Sequence, residues 1–227
     1  MLSLDGRCKT LDASADGYVR AENCIAFLLV AADHAGSAAA GTAVVVRGSA
    51  VNQDGRSSGL TAPNGPAQQA AMRTALLSGD VAAASVGLLE MHGTGTPLGD
   101  PIEVGAATAV LQGTRRLRPL AFTAVKSRLG HGETGAGVLG MLHAWHQLSQ
   151  AATLAATHLR LLNPYVASSL DGGSLPALLP RQGGPSVLPG PDADQHCAGI
   201  SSFAFQVRLR GAGVRLARAG AVWHRAC

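Results

Sequence analysis

Apolar positions in this chain fall in short, sharply bounded runs, with glycine, proline and small polar residues between them. Residues 86–91, Val-Gly-Leu-Leu-Glu-Met, predict a buried strand. Residues 120–125 predict a second, 24–30 and 43–51 two more, and 197–205 a late core strand. Helical patterns lie between these. Pro66 opens a helix to about Leu77. The next has Asp100 as N-cap, Pro101 as its first residue and Glu103 as the return partner of a capping box. It runs through Val110 and stops near Gly113. A small-residue helix covers 134–149. Residues 33–41 read as a connector and 52–65 as a long loop suited to a site or a contact. Residues 171–194, rich in Gly and Pro, read as an irregular surface excursion. No internal repeat is visible.

Composition adds limits. A chain of 227 residues holds one domain or most of a larger one. Aromatic residues are only 4%, so Leu and Val must fill the core. The longest clean apolar run, 25–32, is far short of the ~20 residues of a membrane span. The opening Met1-Leu2-Ser3-Leu4-Asp5 lacks the basic and apolar regions of a secretory signal. Four cysteines without a paired framework or a CxxC suit a reducing compartment, the cytoplasm or an organelle stroma. The net charge of +4 is local in origin. Arg208, Arg210, Arg215, Arg218 and Arg225 lie beyond Gln206 with no acid, leaving 13 bases against 14 acids elsewhere. Nucleic-acid binding is therefore not expected, and the basic tail reads as a solvated end rather than a surface for an acidic carrier protein.

Candidate chemistry sits at the ends of two apolar runs. Residues 92–103 read His-Gly-Thr-Gly-Thr-Pro-Leu-Gly-Asp-Pro-Ile-Glu, and residues 125–133 read Val-Lys-Ser-Arg-Leu-Gly-His-Gly-Glu. Each places a histidine on a loop between a strand-like run and a helix. His92 and His131, if adjacent and neutral, could donate two N–H bonds to one carbonyl oxygen and stabilise an enolate or a tetrahedral oxyanion. Lys126 buried nearby would keep both imidazoles neutral, because like charge disfavours a second proton. Glu133 could hold that lysine. From spacing alone, two unrelated loop histidines fit equally well.

These motifs together resemble the β-ketoacyl synthases, in particular the ketosynthase domains of type I polyketide synthases. Residues 92–103 are similar to the family's HGTGTxLGDPIE signature and 125–131 to its VKSxxGH signature. The resemblance extends over Gly6-Arg7-Cys8-Lys9-Thr10-Leu11-Asp12-Ala13-Ser14-Ala15-Asp16-Gly17-Tyr18-Val19-Arg20, Asn52-Gln53-Asp54-Gly55, 59–66 and 199–205. It implies a thiolase-like layered α/β/α/β/α architecture, incomplete and mostly the C-terminal half. Residues 1–41 would end the N-terminal half, 42–206 form the C-terminal half, and 207–227 a divergent Arg-rich tail. It implies decarboxylative Claisen condensation of a malonyl unit on an acyl carrier protein with an acyl group, in polyketide or fatty-acid biosynthesis. His92, His131 and Lys126 would be catalytic and Glu133 supporting. Thr94 and Thr96, otherwise ordinary loop threonines, would bind the amides of the phosphopantetheine arm. No metal or other cofactor is implied. The partners would be the acyl carrier protein and a second copy or the missing N-terminal half.

The resemblance also marks departures. The family's nucleophilic cysteine lies in an acidic-Thr-Ala-Cys-Ser context, and none of Cys8, Cys24, Cys197 and Cys227 has one. Cys8 reads as a small buried thiol. After Phe203 the family continues with a glycine-rich turn and Asn-Ala-His, whereas this chain continues Gln206-Val207-Arg208-Leu209-Arg210. The isolated chain is thus expected to be inactive in condensation, and the alternative is a non-catalytic module that dimerises or binds carrier protein. The GxGxxG at 135–140 does not follow a strand directly and reads as close helix packing, not a dinucleotide site. His143 and His146 lack a third ligand on their face and read as ordinary helix residues.

Overall fold

The computed structural model describes residues 1–29, 44–54, 62–112, 116, 118–172, 175–181, 186–187, 197–203 and 216–218. In chain order the elements are β1 (Val44–Val46), α1 (Gly65–Ser78), β2 (Val86–Glu90), α2 (Gly99–Leu111), β3 (Leu120–Thr123), α3 (Lys126–Leu129) and α4 (Ala136–Gln150). There follow β4 (Ala152–Thr153), α5 (Pro164–Asp171), β5 (Ala177–Leu178), β6 (Ser186–Val187), β7 (Cys197–Ile200) and β8 (Leu216–Arg218). Six strands form one sheet in the order β1-β8-β7-β2-β3-β5, and β4 and β6 form a separate antiparallel pair.

The centre of the sheet is parallel: β2 pairs with β3 and β7, and β3 with β5. Such strands are covered on both faces and read as continuous apolar runs, as 86–90 and 120–123 do. On one face α1, α2 and α5 pack over Val86, Leu89, Leu120 and Phe122. On the other, Ala144 and Leu148 of α4 cover Leu88, Ala121, Ala198 and Ile200. A register shift against β7 lies between Val86 and Leu88, so these two side chains point into opposite layers.

Local signals explain the helix starts. Asn64 accepts a hydrogen bond from the Ala67 N–H, and Pro66 occupies the first turn of α1. Asn163 and Pro164 repeat the device at α5. Gly130, at φ +78°, ends the single turn of α3, an element that the sequence pattern did not predict.

Two expectations are corrected. Residues 24–29 form no strand. Side-chain exposure alternates along 21–26 with strand period, yet no described strand lies beside this segment to take its peptide groups, and Leu28 and Leu29 are exposed. The tail is not wholly a solvated end, because β8 lies within it and pairs antiparallel with β1 and β7. The connector at 33–41, the stop at Gly113 and most of 171–194 lie outside the described residues.

Candidate functional site

Three parallel strands deliver the site. His92 follows β2 by two residues, Lys126 opens α3 just beyond β3, and Phe203 lies shortly after β7. The carboxyl edge of a parallel sheet is where loops carrying chemistry converge. The imidazoles of His92 and His131 meet there, edge to face, with ring centroids 5.2 Å apart. Tyr18 packs on His131 at 5.1 Å and Phe203 on His92 at 5.3 Å. The expected convergence of the two histidines is thus present.

The main chain determines how each ring is presented. The Phe203 N–H donates to Nδ1 of His92 at 3.2 Å, and the Glu133 N–H donates to Nδ1 of His131 at 3.1 Å. A neutral imidazole that accepts at Nδ1 carries its proton on Nε2. Both rings are therefore Nε2–H donors. Burial, the Lys126 charge and the neighbouring His131 hold His92 well below the ordinary histidine range. Burial and Lys126 bring His131 down to about 4, with Glu133 opposing.

The glycine-threonine loop that carries His92 is held by two buried carboxylates, and here the capping-box reading is corrected. Asp100 lies inside α2, which has Leu98 at its N-cap position. Its carboxylate accepts from the Leu11 N–H at 2.8 Å and the Gly95 N–H at 3.1 Å. Glu103 accepts from the His92 N–H at 2.8 Å and the Gly93 N–H at 3.0 Å instead of reaching back to a cap. The loop turns back over the first turn of α2, so its own peptide groups compete for these acceptors. Burial pushes Asp100 up to about 6 and Glu103 up to about 7, with these peptide hydrogen bonds opposing. Gly93 and Gly95 have φ of +47° and +78°. A Cβ on Gly95 would lie 2.6 Å from the Lys9 nitrogen, which accounts for glycine at that close approach.

The other predicted residues divide. Lys126 is buried as expected. Burial lowers its ammonium below the usual range, while Glu90, Glu103, Cys8 and Asp100 raise it. Glu133 is not its partner: that carboxylate is half exposed and pairs with Arg20 at 3.2 Å. Glu133 itself has φ +49°, and its peptide N–H goes to His131 while its side chain stays at the surface. Thr94 is buried beside the imidazoles' loop, and Thr96 uses its hydroxyl oxygen to accept from the Gly99 N–H at 3.1 Å. Cys8 is the buried thiol expected, accepting from the Val19 N–H at 3.4 Å, and burial pushes it up. Such a thiol is a poor nucleophile. His143 is buried and His146, one turn on, is exposed.

Sequence reading passed over Glu90 and its surroundings. The signal was present, because a carboxylate inside a buried apolar run demands partners. Residues 8–20 were likewise underrated. Thr10 donates to the Gly93 carbonyl at 2.6 Å and the Gly17 N–H to the Gly95 carbonyl at 3.0 Å, so this segment clamps the His92 loop.

With this geometry in place, comparison with known proteins is informative. The family described as beta-ketoacyl synthase, C-terminal domain, matches residues 43–160. The chain is 47% identical over 175 residues to one of the phenolphthiocerol/phthiocerol polyketide synthase polypeptides of Mycobacterium tuberculosis, covering 71% of this chain and 8% of that protein. It is 39% identical over 203 residues to erythronolide synthase EryA2 of Saccharopolyspora erythraea, covering 89% of this chain and 5% of that one. Among solved structures, the ketosynthase from module 6 of the Bacillus subtilis bacillaene synthase superposes with a TM-score of 0.81 at 25% identity. That match covers 97% of this chain and 38% of the ketosynthase. An oxazolomycin ketosynthase domain of Streptomyces albus gives 0.79 at 30% identity, covering 96% and 37%. The chain thus spans a small part of the curated relatives and under half of the solved ketosynthases. Its fold is thiolase-like α/β.

Proposed function

The chain belongs to the β-ketoacyl synthases, a family of acyl-transferring condensing enzymes, and on that footing we propose that it supplies the decarboxylation apparatus of a Claisen condensation in polyketide biosynthesis. The substrate in this reading is a malonyl unit on the phosphopantetheine of an acyl carrier protein. As carbon dioxide leaves, the bonding pair moves toward the thioester carbonyl, and negative charge grows on its oxygen. His92 and His131 each donate Nε2–H to that oxygen, and the resulting enolate carbon attacks an acyl group held as a thioester on a cysteine, forming the C–C bond as the acyl C–S bond breaks and the cysteine leaves as a thiolate. Thr94 and the hydroxyl proton of Thr96 face the arm's amides. Lys126 keeps both imidazoles neutral. That thiolate is supplied by ketosynthase sequence other than these residues.

One observation carries the reading: two adjacent imidazoles, each with Nδ1 already bonded to a peptide N–H. The test is carbon dioxide release from malonyl carrier protein by the chain complemented with a thiolate-bearing ketosynthase half. His92→Ala should reduce release by about 10²–10³-fold, the cost of one oxyanion donor, and Lys126→Ala by at least as much. Unchanged release in the His92 variant would end the assignment. A second reading, a non-catalytic module that dimerises or binds carrier protein, draws on the exposed Leu28 and Leu29 and forecasts no release from the complemented wild type.

A further inference from the structure

Glu90 is the last residue of β2, and none of its surface reaches solvent. Its side chain ties three elements together. Oε1 accepts from the Val125 N–H at 2.6 Å, the peptide next to Lys126. Oε2 accepts from the Thr123 hydroxyl at 2.7 Å and lies 2.7 Å from Nδ1 of His143 on α4. Gln147 donates to the Thr123 hydroxyl oxygen at 3.2 Å, and its own carbonyl accepts from the Leu154 N–H at 2.9 Å. The Glu90 peptide carbonyl accepts from the Ser201 N–H at 2.9 Å, two residues before the peptide that sets His92. The Val125 N–H and the Thr123 hydroxyl donate to the carboxylate, and Nδ1 of His143 lies between Oε2 of Glu90 and Nε2 of Gln147, 3.1 Å away.

We propose that Glu90, fixed by Thr123 and His143, is the positioning residue that anchors Lys126 behind the two imidazoles and supplies its counter-charge. Glu90 binds the backbone immediately before Lys126, so it fixes where the lysine leaves the main chain. Burial lowers the Lys126 ammonium, and the Glu90 carboxylate opposes that together with Glu103 and Asp100. Glu133 cannot do this from the surface. Nε2 of His143 is buried and has no partner among the described residues, so the ring's polar contacts run through Nδ1, to Glu90 and Gln147. The inference rests on the proposed role of Lys126, but its test reads protonation and not turnover, so the two can fail separately.

The chain has two lysines, Lys9 and Lys126. A sample labelled with ¹³C at the lysine ε-carbon gives two signals to follow with pH. Lys9, paired with Asp5 and Asp16 near the surface, is the internal reference. Glu90→Gln keeps the shape and removes the charge. It should move the Lys126 midpoint to lower pH by about one unit, the scale of one nearby counter-charge, and leave Lys9 in place. Thr123→Val removes a hydrogen bond to the same carboxylate but leaves the charge, so it should lower stability without that shift. If Glu90→Gln does not fold, Glu90→Asp draws the charge back by one methylene and must move the midpoint in the same direction. A Lys126 midpoint unmoved in the folded Glu90 variant, or moved equally by Thr123→Val, overturns the proposal.

Discussion

At the scale of single residues, the site is governed by which nitrogen carries the proton. Protonating His131 puts a hydrogen on Nδ1, where the Glu133 N–H already points, so the charged ring must lose that bond. The sign follows. Above about 4 the ring stays neutral and bonded, and below it the ring charges and its loop loosens. Histidine ¹⁵N spectra at pH 6 should therefore show His92 and His131 as neutral Nε2–H rings. Neither imidazole should limit decarboxylation by the complemented protein above about pH 5.5, and any change between pH 8 and 5.5 should follow Glu103 and Asp100, which hold the His92 loop and titrate at about 7 and about 6. A ring ¹⁵N titration of either histidine centred near 6.5, the ordinary histidine value, would contradict this. His92, His131 and Lys126 were legible in the sequence because each lies beside a strand end with recognisable loop residues. The partner of Lys126 was not. Glu133 is near it along the chain, whereas the proposed partner Glu90 reaches the adjoining Val125 peptide only once β2 and β3 are side by side.

At the scale of elements, the parallel strands and the helices beside them were readable because burial on both faces leaves an uninterrupted apolar run. The start of α2 was misread for an instructive reason. A loop followed by Asp-Pro-Ile-Glu has the local pattern of a capping box, yet the peptides that claim those carboxylates are those of His92, Gly93, Gly95 and Leu11. Leu11 is 89 positions away from Asp100, beyond any local rule. Glu103→Ala would leave two buried peptide N–H groups without acceptors and should cost about 3 kcal/mol or more in denaturant unfolding. A loss under about 1 kcal/mol would mean that water replaces the carboxylate. Gly95→Ala should destabilise through its clash with the Lys9 backbone, and the loss should persist when the new side chain is made polar, as in Gly95→Ser. The strand expected at 24–30 failed at this scale too, because alternation specifies a strand only where a neighbour exists to pair with it.

At the scale of the whole molecule, the chain carries donors to an oxyanion but presents no ready thiolate among the described cysteines at the imidazoles. Purified chain incubated with radiolabelled acyl carrier protein should gain no stable thioester, and label on Cys8 or Cys24 would refute this. Leu4, Leu28 and Leu29 are largely exposed, so light scattering on the isolated chain should report self-association; a monodisperse monomer would refute that. The hydrogen bond from Phe203 to His92 spans 111 positions and closes only after β7 has joined β2. A nascent or half-folded chain has both histidines but not that peptide, so one imidazole is left to choose its own tautomer. The described presentation of His92 therefore waits until the late segment of the chain is seated. Folding thus acts as a checkpoint on the site's geometry, because an incomplete copy carries both histidines without the peptide that orients one of them.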